Sequence, residues 1–384
     1  MKFTVQKSVF MNKLTPAMGT VSNKNTITSI EGVLLETMPD GKIRISTYDM
    51  NKGTRSTFEP TSIEREGKYI VNAQRLYQTM RVMPEDEITV EINDKLNCTI
   101  SSCRSAFSMF ALNGEEFPNL PDLFSDRGFT ASASIISKMI SKVSHSIAET
   151  DNRPMLCGAY FKIGEGKIEV VSCDSYTLSK TSMECDVKSL SSDSSLGYSF
   201  IIPRHALGEL AKHLADGDEE VCFYLSRKHA IMKKDDTIFF TRTIDSEYID
   251  YERIIPRDND ISVVIDRAAM LDGLERANIV AEEKIKGSGK SYVKLALNDQ
   301  SMLISSTSVN GNVVDEMDCV HDGADLEIGF NCRYLINSIS AAEGESIKIT
   351  MKSPTQAITI EPDEEPDSFN YFYMILPVRM NDQK

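Results

Sequence analysis

The stretch Met1–Ser22, MKFTVQKSVFMNKLTPAMGTVS, carries the pattern that decides the fold of this 384-residue chain. Its first six residues alternate apolar and polar side chains, as a half-buried β-strand does. Phe10, Leu14, Ala17 and Val21 then recur at the spacing of one face of an α-helix. The sequence therefore predicts a strand that leads directly into an amphipathic helix.

The same strand-to-helix pattern occurs twice more along the chain. Residues Arg127–Ala148, RGFTASASIISKMISKVSHSIA, and Ile261–Glu282 again join an alternating stretch to a helical apolar face. Self-similarity at a long, nearly constant period indicates repeated structural units. The apolar faces of these two copies are Ile136, Ile140, Val143, Ile147 and Met270, Leu274, Ala277, Ala281.

A second type of unit lies between these copies, and it also occurs three times. Each example ends a strand-like stretch, enters a helix, stops at an acidic or glycine-containing turn and continues as an alternating strand. The corresponding apolar residues are Val71, Leu76, Met80, then Ile202, Leu207, Ala211, then Phe330, Leu335, Ile339.

These six units predict an α+β protein of three similar domains, 1–126, 127–258 and 259–384, each made of two strand–helix–strands repeats. One helix cannot cover both faces of a sheet, so we expect the helices to lie together inside and the sheets outside. Six units in a row favour an arc whose complementary ends close into a ring by self-association. A simple α+β duplication without a ring remains open at this point.

Composition limits the possible class of protein. No run of about 18 apolar residues occurs, and the alternating N-terminus lacks the apolar core of a signal peptide, so we expect a cytoplasmic protein. The eight cysteines are scattered without a CxxC pair, and the five histidines are dispersed. Reduced thiols are therefore expected, with neither a metal site nor a cofactor.

The distribution of charge is uneven. A net charge of −15 argues against binding to nucleic acid, because phosphate repels an acidic protein. The predicted helices at 7–22, 72–82 and 132–148 nevertheless carry +2 each, and the helix at 203–215 carries +1. If these helices face one surface, they form a basic lining for DNA that carries no sequence information. The alternative is that these cations lie on ordinary solvated helix faces.

Catalytic motifs are absent from the sequence. Gly287–Ser291 resembles the end of a phosphate-binding loop, but Lys284 stands where the full motif requires glycine. The acidic run Glu361–Asp367 is typical of a solvated hairpin tip. Neither a GxSxG elbow nor an HExxH motif occurs, so we predict no catalytic residues.

Several stretches, in this order and at this spacing, resemble the beta subunit of bacterial replicative DNA polymerase, the sliding clamp family. The resemblance covers essentially the whole chain and implies a non-enzymatic homodimer ring around duplex DNA. It also implies tethering of the polymerase catalytic subunit, the clamp loader, and repair and translesion polymerases through short peptides. The stretches are MKFTVQK at the start, FSMFALNGEEFPNLPDL (107–123), SCDSYTLSK (172–180), IIPRHALGEL (201–210), YIDYERIIP (248–256), LEIGFNCRYL (326–335) and MILPVR (374–379).

The resemblance places a cleft for partner peptides between the second and third domains. Thr177 departs from the family's usual arginine and Ile249 from its usual proline, and Asn381–Lys384 extend past the common end. Peptide preference is therefore expected to differ, over a retained apolar floor. The implied cleft residues are Leu156, Cys173, Asp174, Ser175, Tyr176, Thr177, Leu178, Ile249, Arg253, Ile254, Met374, Leu376, Pro377, Val378 and Arg379.

The resemblance also implies residues for DNA contact and for the subunit joint. Phe107 and Met109 are expected to meet Ile279 and Val280 of a second subunit, although the first two could instead be core residues of an alternating strand. Thr150 replaces the family's glutamine. The resemblance implies DNA contact at Lys24, Thr150 and Arg153, and the charge on the predicted helices adds Arg75, Lys138, Lys142 and Arg204.

Two competing functions remain open from the sequence. An adaptor of the same fold that is not threaded on DNA predicts a stable monomer without topological retention on DNA. A hydrolase predicts turnover that one point mutation abolishes. A DNA-encircling clamp predicts a dimer that stays on circular DNA and leaves linear DNA.

Overall fold

The structure is a computed structural model, which describes residues 1–22, 28–121, 123, 125–190, 196–215, 217–281, 292–364 and 369–380. These residues form 27 strands and six α-helices, numbered here in chain order. None of the helices in the described ranges is both long and apolar enough to cross a lipid bilayer.

The first third of the chain contains two α-helices, α1 (Lys7–Ala17) and α2 (Ala73–Val82). The Asn72 side chain begins α2 by accepting a hydrogen bond from the backbone N–H of Arg75 at 3.0 Å. The strands are β1 (Lys2–Gln6), β2 (Gly32–Thr37), β3 (Ile43–Tyr48), β4 (Lys52–Phe58), β5 (Ser62–Arg65), β6 (Lys68–Asn72), β7 (Glu87–Ile92), β8 (Asn97–Ser102) and β9 (Ser105–Asn113).

The central third has the same sequence of elements, with helices α3 (Ala133–Val143) and α4 (Arg204–Leu214). Like α1, α3 is followed at once by a turn of 3-10 helix, Ser144–Ser146 after α3 and Met18–Thr20 after α1. The strands are β10 (Gly128–Ser132), β11 (Gly158–Gly164), β12 (Lys167–Cys173), β13 (Thr177–Glu184), β14 (Lys188–Ser189), β15 (Gly197–Pro203), β16 (Glu220–Leu225), β17 (His229–Lys234) and β18 (Thr237–Arg242).

The last third contains helices α5 (Arg267–Ala281) and α6 (Cys332–Ala341). The Asn331 side chain caps α6 by accepting from the N–H of Arg333, as Asn72 does at α2. The strands are β19 (Ile261–Asp266), β20 (Val293–Asn298), β21 (Ser301–Thr307), β22 (Asn312–Asp318), β23 (Val320–Asp322), β24 (Leu326–Phe330), β25 (Ser346–Met351), β26 (Ile358–Pro362) and β27 (Phe369–Ile375).

Element order is therefore the same in all three thirds: a strand, a helix, five strands, a helix and three strands. One backbone hydrogen bond is also repeated in all three thirds. The first residue of the first helix in each third donates its N–H to the turn that follows the second helix of that third. Lys7 donates to Asp86, Ala133 to Glu219, and Arg267 to Glu345. These observations confirm the predicted repeat and the α+β class.

The helical faces predicted from spacing are buried, except that Ala281 at the end of α5 and Ala211 on α4 are only half-buried. Phe10, Leu14 and Ala17 of α1 are inaccessible to solvent, and the matching residues of α3 and α5 lie in the core. Ala211 is only half-buried, because Leu210 and Leu214 fill the core position on α4 instead. The periodicity thus located the helices and erred by one position in α4.

The described chain divides into two compact units. The first comprises Met1–Ser137, Lys188–Ser195 and His205–Thr243, and the second comprises Lys138–Val187, Leu196–Arg204 and Ile244–Lys384. This division cuts the central third, so the boundaries predicted at 126/127 and 258/259 stay predictions.

Each compact unit contains strands from two neighbouring thirds, because these strands belong to one continuous sheet. In the first unit, β4 pairs antiparallel with β18 inside one 14-stranded sheet, with Thr54 opposite Phe239. We call this pairing the first joint, since it connects the first third to the central third. In the second unit, β13 pairs antiparallel with β27 inside a nine-stranded sheet, with Ser179 opposite Tyr373, and we call it the second joint. The second unit also holds a four-stranded sheet in the order β22-β21-β20-β24.

Candidate functional site

The second joint carries an apolar cluster where the peptide cleft was predicted. Leu178 and Met374 are direct cross-strand partners, and both pack with Leu156, Cys173 and Tyr251 in one buried cluster. Such a cluster is an apolar floor that can stabilise a bound apolar side chain. The five predicted residues Leu156, Cys173, Thr177, Leu178 and Met374 are, however, almost inaccessible in this structure, so they support the surface rather than form it.

The accessible part of the cleft consists of large apolar side chains at its edge. Tyr176, Ile254 and Leu376 are all exposed, although apolar side chains of this size are usually covered. Ile254 and Leu376 belong to one open groove whose wall includes Arg253, Ile255, Pro256, Gln356 and Ala357. Ile249 is half-buried and packs on the cluster below.

The segment after β27 forms one wall of the cleft. The N–H of Leu376 donates to the carbonyl of Tyr176 at 2.9 Å, and the N–H of Val378 donates to the carbonyl of Gly329 at 2.8 Å. Pro377 lies between these two attachments, and Arg379 beyond them is exposed. The wall is therefore held at both ends by backbone hydrogen bonds.

The turn from Asp174 to Thr177 lies directly beside this wall and is held by its own polar groups. One oxygen of the Asp174 carboxylate accepts from the N–H groups of Tyr176 at 2.9 Å and Thr177 at 2.6 Å. Ser175 has a φ of 79°, in the left-handed region that side chains other than glycine rarely adopt. The conformation of this edge is thus fixed by local contacts before any ligand binds.

Arg153 reinforces the same turn. Its guanidinium donates to the hydroxyl of Ser175 at 2.5 Å and to both carboxylate oxygens of Asp151, at 3.0 and 3.1 Å. These bonds from Arg153 lower the pKa of Asp151. The structure therefore places Arg153, predicted to contact DNA, at the edge of the cleft with its Nε and Nη2 donors engaged.

A charged network borders the floor on the side of Tyr251. The Tyr251 hydroxyl donates to Glu169 at 2.5 Å, and burial, followed by this bond, raises the pKa of the tyrosine. Lys180 lies 2.6 Å from Glu252 and 3.4 Å from Glu169. Arg253, a predicted cleft residue, pairs with Asp250 at 2.7 Å. These pairs fix the polar edge of an otherwise apolar groove.

Thr177, which occupies the position where the family usually has arginine, lies in the buried layer under the cleft. Its side chain is buried, and its hydroxyl has no hydrogen-bond partner among the described residues. A buried unpaired hydroxyl costs about 1–3 kcal/mol. The residue that replaces the family's arginine is therefore part of the supporting layer and not an exposed cation.

The predicted DNA-contacting residues fall into two groups. Arg75 on α2 and Thr150 after α3 are exposed. Arg204 is partly exposed and donates to the carbonyl of Ile147 at 2.5 Å and to Glu149 at 3.3 Å. Lys138 is partly exposed and lies 2.7 Å from Glu343. Lys24 lies outside the described residues.

Lys142 is more buried than the other residues predicted to contact DNA that the structure describes. Its side chain is only 8% exposed, and its ammonium lies 2.8 Å from Glu343 and donates to the carbonyl of Ala341 at 2.6 Å. Lys7 on α1 is engaged in the same manner, because it donates to the carbonyl of Met83 at 2.7 Å and to Glu85. Counting formal charge could not detect this, since both lysines cap the end of a neighbouring helix instead of facing solvent.

The residues predicted for the contact between two subunits differ in their exposure. Phe107 and Ile279 are exposed, Val280 is half-buried, and Met109 packs against the core of the first unit. Met109 therefore matches the alternative interpretation as a core residue. Sequence reasoning missed Phe110, Val82 and Val314, which are 78%, 70% and 59% exposed. Strand alternation from Met109 would have identified Phe110 as the outward residue.

The remaining sequence features concern a metal site, a loop that resembles a phosphate-binding motif, and the C-terminal extension. Within the described ranges, no three His, Cys, Asp or Glu side chains converge in a way that could hold a metal ion. The loop-like run Gly287–Ser291 lies outside the described residues, as do Asn381–Lys384.

Comparisons with known proteins agree over the whole length. Three family models match in succession: the N-terminal domain of the DNA polymerase III beta subunit at residues 1–121, its central domain at 131–250, and its C-terminal domain at 252–379. The beta sliding clamps of Staphylococcus aureus and Staphylococcus epidermidis are each 22% identical over 388 residues, which is 99% of this chain and 99% of theirs.

Solved structures share the fold. The DNA polymerase sliding clamp of Bacillus subtilis aligns with a TM-score of 0.91 at 23% identity, and covers 99% of this chain and 100% of its own. The sliding clamp of Pseudomonas aeruginosa bound to griselimycin aligns over the same shares with a TM-score of 0.89 at 23% identity.

The threefold repeat and the apolar cleft beside the second joint define the class of DNA clamps. A clamp acts by holding other proteins at DNA and is a non-catalytic accessory subunit of the polymerase, not an enzyme. This chain belongs to the DNA polymerase III beta subunit family.

Proposed function

We propose that two copies of this chain close head to tail into a ring around duplex DNA and act in the cytoplasm as a processivity factor. The observation that carries the proposal is that two strand edges with exposed apolar side chains have no neighbouring strand among the described residues. One edge is β22 with Val314, and the other is the Ser105–Phe110 stretch of β9 with Phe107. Exposed apolar edges of this kind invite association, and a closed ring leaves neither one open.

The cleft beside the second joint is proposed as the tethering site. Its exposed Tyr176, Ile254 and Leu376 stand over an apolar floor and suit a short peptide with apolar anchors. The proposed ligands are peptides of the polymerase catalytic subunit, the clamp loader, and repair and translesion polymerases. Arg153 is proposed to hold the cleft edge and not to contact DNA.

DNA contact is proposed for a smaller set than the sequence indicated. Arg75, Lys138, Thr150 and Arg204 remain candidates because each is at least partly exposed, and Lys24 remains one on sequence alone. Lys142 is left out because its ammonium is paired and buried. A small number of exposed cations on an acidic protein would bind phosphates weakly, which is consistent with sliding along DNA.

An adaptor that is not threaded on DNA is the second candidate. The net charge of −15 and the engagement of Lys7 and Lys142 favour it, since both reduce the attraction to phosphate. The deciding experiment loads the protein on nicked circular DNA with a clamp loader and then cuts the circle. A ring stays on the circle and leaves after linearisation. An adaptor shows the same retention before and after the cut.

A further inference from the structure

Arg55 on β4 carries a positive charge that the described residues do not neutralise. Its half-buried side chain makes neither a hydrogen bond nor an ion pair with any residue that the structure describes, and its Nε is buried without a partner there. Burial, followed by the nearby charge of Arg44, lowers the pKa of Arg55. A guanidinium nevertheless stays protonated in proteins, so it cannot avoid the cost of burial by losing its proton.

Arg55 lies on the outer side of the sheet at the first joint, which is the side that faces away from α1 and α4. The residues before and after it face the helices: the Thr54 hydroxyl lies 3.3 Å from Nε2 of His213 on α4, and Ser56 is buried. Because successive residues of a strand point to opposite sides, Arg55 points outward. Its cross-strand neighbour on β18 is Ile238.

Lys180 on β13 occupies the equivalent position at the second joint. Arg55 and Lys180 each come two residues after the last pair of a hairpin, which includes Gly53 in the first third and Leu178 in the central third. Their strands also form the two joints in the same way, since each pairs antiparallel with the last strand of the following third. The molecule therefore contains two examples of one position, each occupied by a cation.

One of the two carboxylates beside Lys180 is replaced by a cation at the first joint. Glu169 lies 3.4 Å from Lys180. Arg44 is equivalent to Glu169, because each comes four residues before the end of its strand, β3 or β12. Arg44 binds Glu36 at 2.5 Å, and Nε of Arg44 likewise has no partner within the described ranges. Two guanidinium groups are therefore accompanied by one carboxylate.

The other carboxylate beside Lys180, that of Glu252, has no counterpart at the first joint. Glu252 lies 2.6 Å from Lys180 and follows Tyr251, which packs in the cluster at the second joint. At the first joint, the corresponding segment is residues 117–121, which pack in one cluster with Phe240. This segment contains neither aspartate nor glutamate. The first joint thus retains the cation and lacks both of its anions.

We propose that Arg55 and Arg44 form a binding site for one acidic side chain of a partner protein. The carboxylate of that side chain takes the role that Glu252 has at the second joint. A guanidinium suits this role, because its N–H groups form a rigid fork that matches a carboxylate. Ile238 and Leu120 are only partly buried and offer an apolar surface on the same cluster. An acidic residue next to an apolar one therefore fits the site best.

The local charge favours a carboxylate over a phosphate group. Arg44, Arg55 and Glu36 sum to +1, which one carboxylate balances. A phosphate monoester carries about −1.5 to −2 at pH 7 and would leave an excess of negative charge beside Glu36. Nucleic acid is a poorer ligand still, because its further phosphates are repelled by a protein of net charge −15.

The site goes beyond the function proposed above. Arg44, Arg55 and Ile238 belong to the first compact unit, whereas the cleft beside the second joint belongs to the second unit. Binding at Arg55 therefore requires neither a ring nor an intact cleft.

A titration that is followed at the site tests the proposal. The probe is a blocked tetrapeptide with a central tyrosine–glutamate pair, as in Tyr251 and Glu252, and the matched probe has glutamine in place of glutamate. The backbone amide resonance of Ile238 reports binding next to Arg55. We expect a saturable shift with the glutamate peptide and about tenfold weaker binding of the glutamine peptide, because the charge-assisted hydrogen bonds are lost.

Substitutions separate this role from a structural one. Arg55→Met should weaken binding of the glutamate peptide about tenfold. Arg242→Met removes the same charge from an exposed position on β18 and should leave binding unchanged. Arg55→Met should also raise the urea midpoint of the free protein, because it removes a half-buried charge that has no partner. A purely structural role for Arg55 would lower that midpoint instead.

Three outcomes would overturn the site. The first is equal binding of the two peptides, and the second is equal affinity of the glutamate peptide for Arg55→Met and for the unmodified protein. The third is a shift of the Ile238 resonance by inorganic phosphate at a lower concentration than by the glutamate peptide, which would identify a phosphate site instead.

Discussion

Lys142 on α3 is bound to Glu343, which follows α6: its ammonium lies 2.8 Å from a carboxylate oxygen and also donates to the carbonyl of Ala341. Burial opposes ionisation of Glu343, but the bonds from Lys138 and Lys142 lower the pKa of Glu343 all the same. The pair therefore stabilises the second unit, which makes Lys142 a structural residue.

Replacing Lys142 should consequently lower stability and spare DNA binding. Lys142→Met removes the donor of one Glu343 carboxylate oxygen and of the Ala341 carbonyl, while Lys138 still binds the other oxygen. We expect a loss of about 2 kcal/mol, moderated because Glu343 is partly exposed. Urea unfolding measures this loss. Lys138→Met is the matched control, since Lys138 binds the same carboxylate from a more exposed position and should cost under about 0.5 kcal/mol. A drop in DNA affinity for Lys142→Met with stability unchanged would contradict this assignment.

Replacing Arg75 should weaken DNA binding and leave stability unchanged. It is exposed on α2, and removal of one phosphate contact should reduce the slope of log affinity against log salt by about one. Arg75→Gln should show this reduction in a titration with duplex DNA at several salt concentrations, with thermal unfolding unchanged. A salt slope equal to that of the unmodified protein would remove Arg75 from the DNA-facing set.

The sequence predicted the helices and the repeat because burial of one helix face requires apolar residues at a regular spacing. This spacing is present in all three copies although their sequences differ. Phe10, Ile136 and Met270 are all core residues at the start of equivalent faces. The ends of α1 and α3 were placed too late, since a change to 3-10 helix after Ala17 and Val143 does not disturb the apolar spacing.

The sequence grouped the candidate cleft residues but did not show which of them are accessible. The residues of the cleft came from the family resemblance, and the structure brings them to one joint. Which of them are accessible depends on packing between distant strands, as Leu178 and Met374 illustrate. The partner of a charged residue likewise depends on the fold, and for this reason the sequence did not predict the pairing of Arg153 with Asp151 or of Lys142 with Glu343.

Leu376 offers a direct test of the cleft. Leu376→Asp places a charge on its apolar wall and should weaken binding of a clamp-binding peptide by at least tenfold, because that charge must lose water when the peptide docks. Leu190→Asp is a matched control, since Leu190 and Leu376 are both 39% exposed and Leu190 lies outside the cleft. Calorimetry measures both. Equal affinities for the two variants would refute the placement of the cleft.

Two partly buried histidines predict a loss of stability in mild acid. Burial lowers the pKa of His213 and of His145 to about 4. The unfolded chain has a value of about 6.5, so it takes up protons first as the pH falls, and stability decreases between these two values. For one histidine the loss is about 2 kcal/mol at pH 5 relative to pH 7.

His213→Gln isolates this effect, because glutamine can still bond to Thr54 but does not titrate. The urea midpoint of the unmodified protein should fall more steeply from pH 7 to pH 5 than that of the variant. Parallel pH profiles for the two proteins would show that His213 is not buried in the neutral form.

The subunit joint is most simply tested at the end of α5. Ile279 is 73% exposed and Val280 is half-buried in the free chain, and both are expected to be covered in the ring. Ile279→Asp with Val280→Asp would bury two charges without partners, which a joint of this kind does not tolerate. Light scattering should therefore report half the mass of the unmodified protein. Glu275→Gln, at an exposed position on the same helix, should leave the mass unchanged. Since the cleft beside the second joint lies within one chain, the monomeric variant should still bind the peptide with unchanged affinity, and loss of both properties together would instead indicate unfolding.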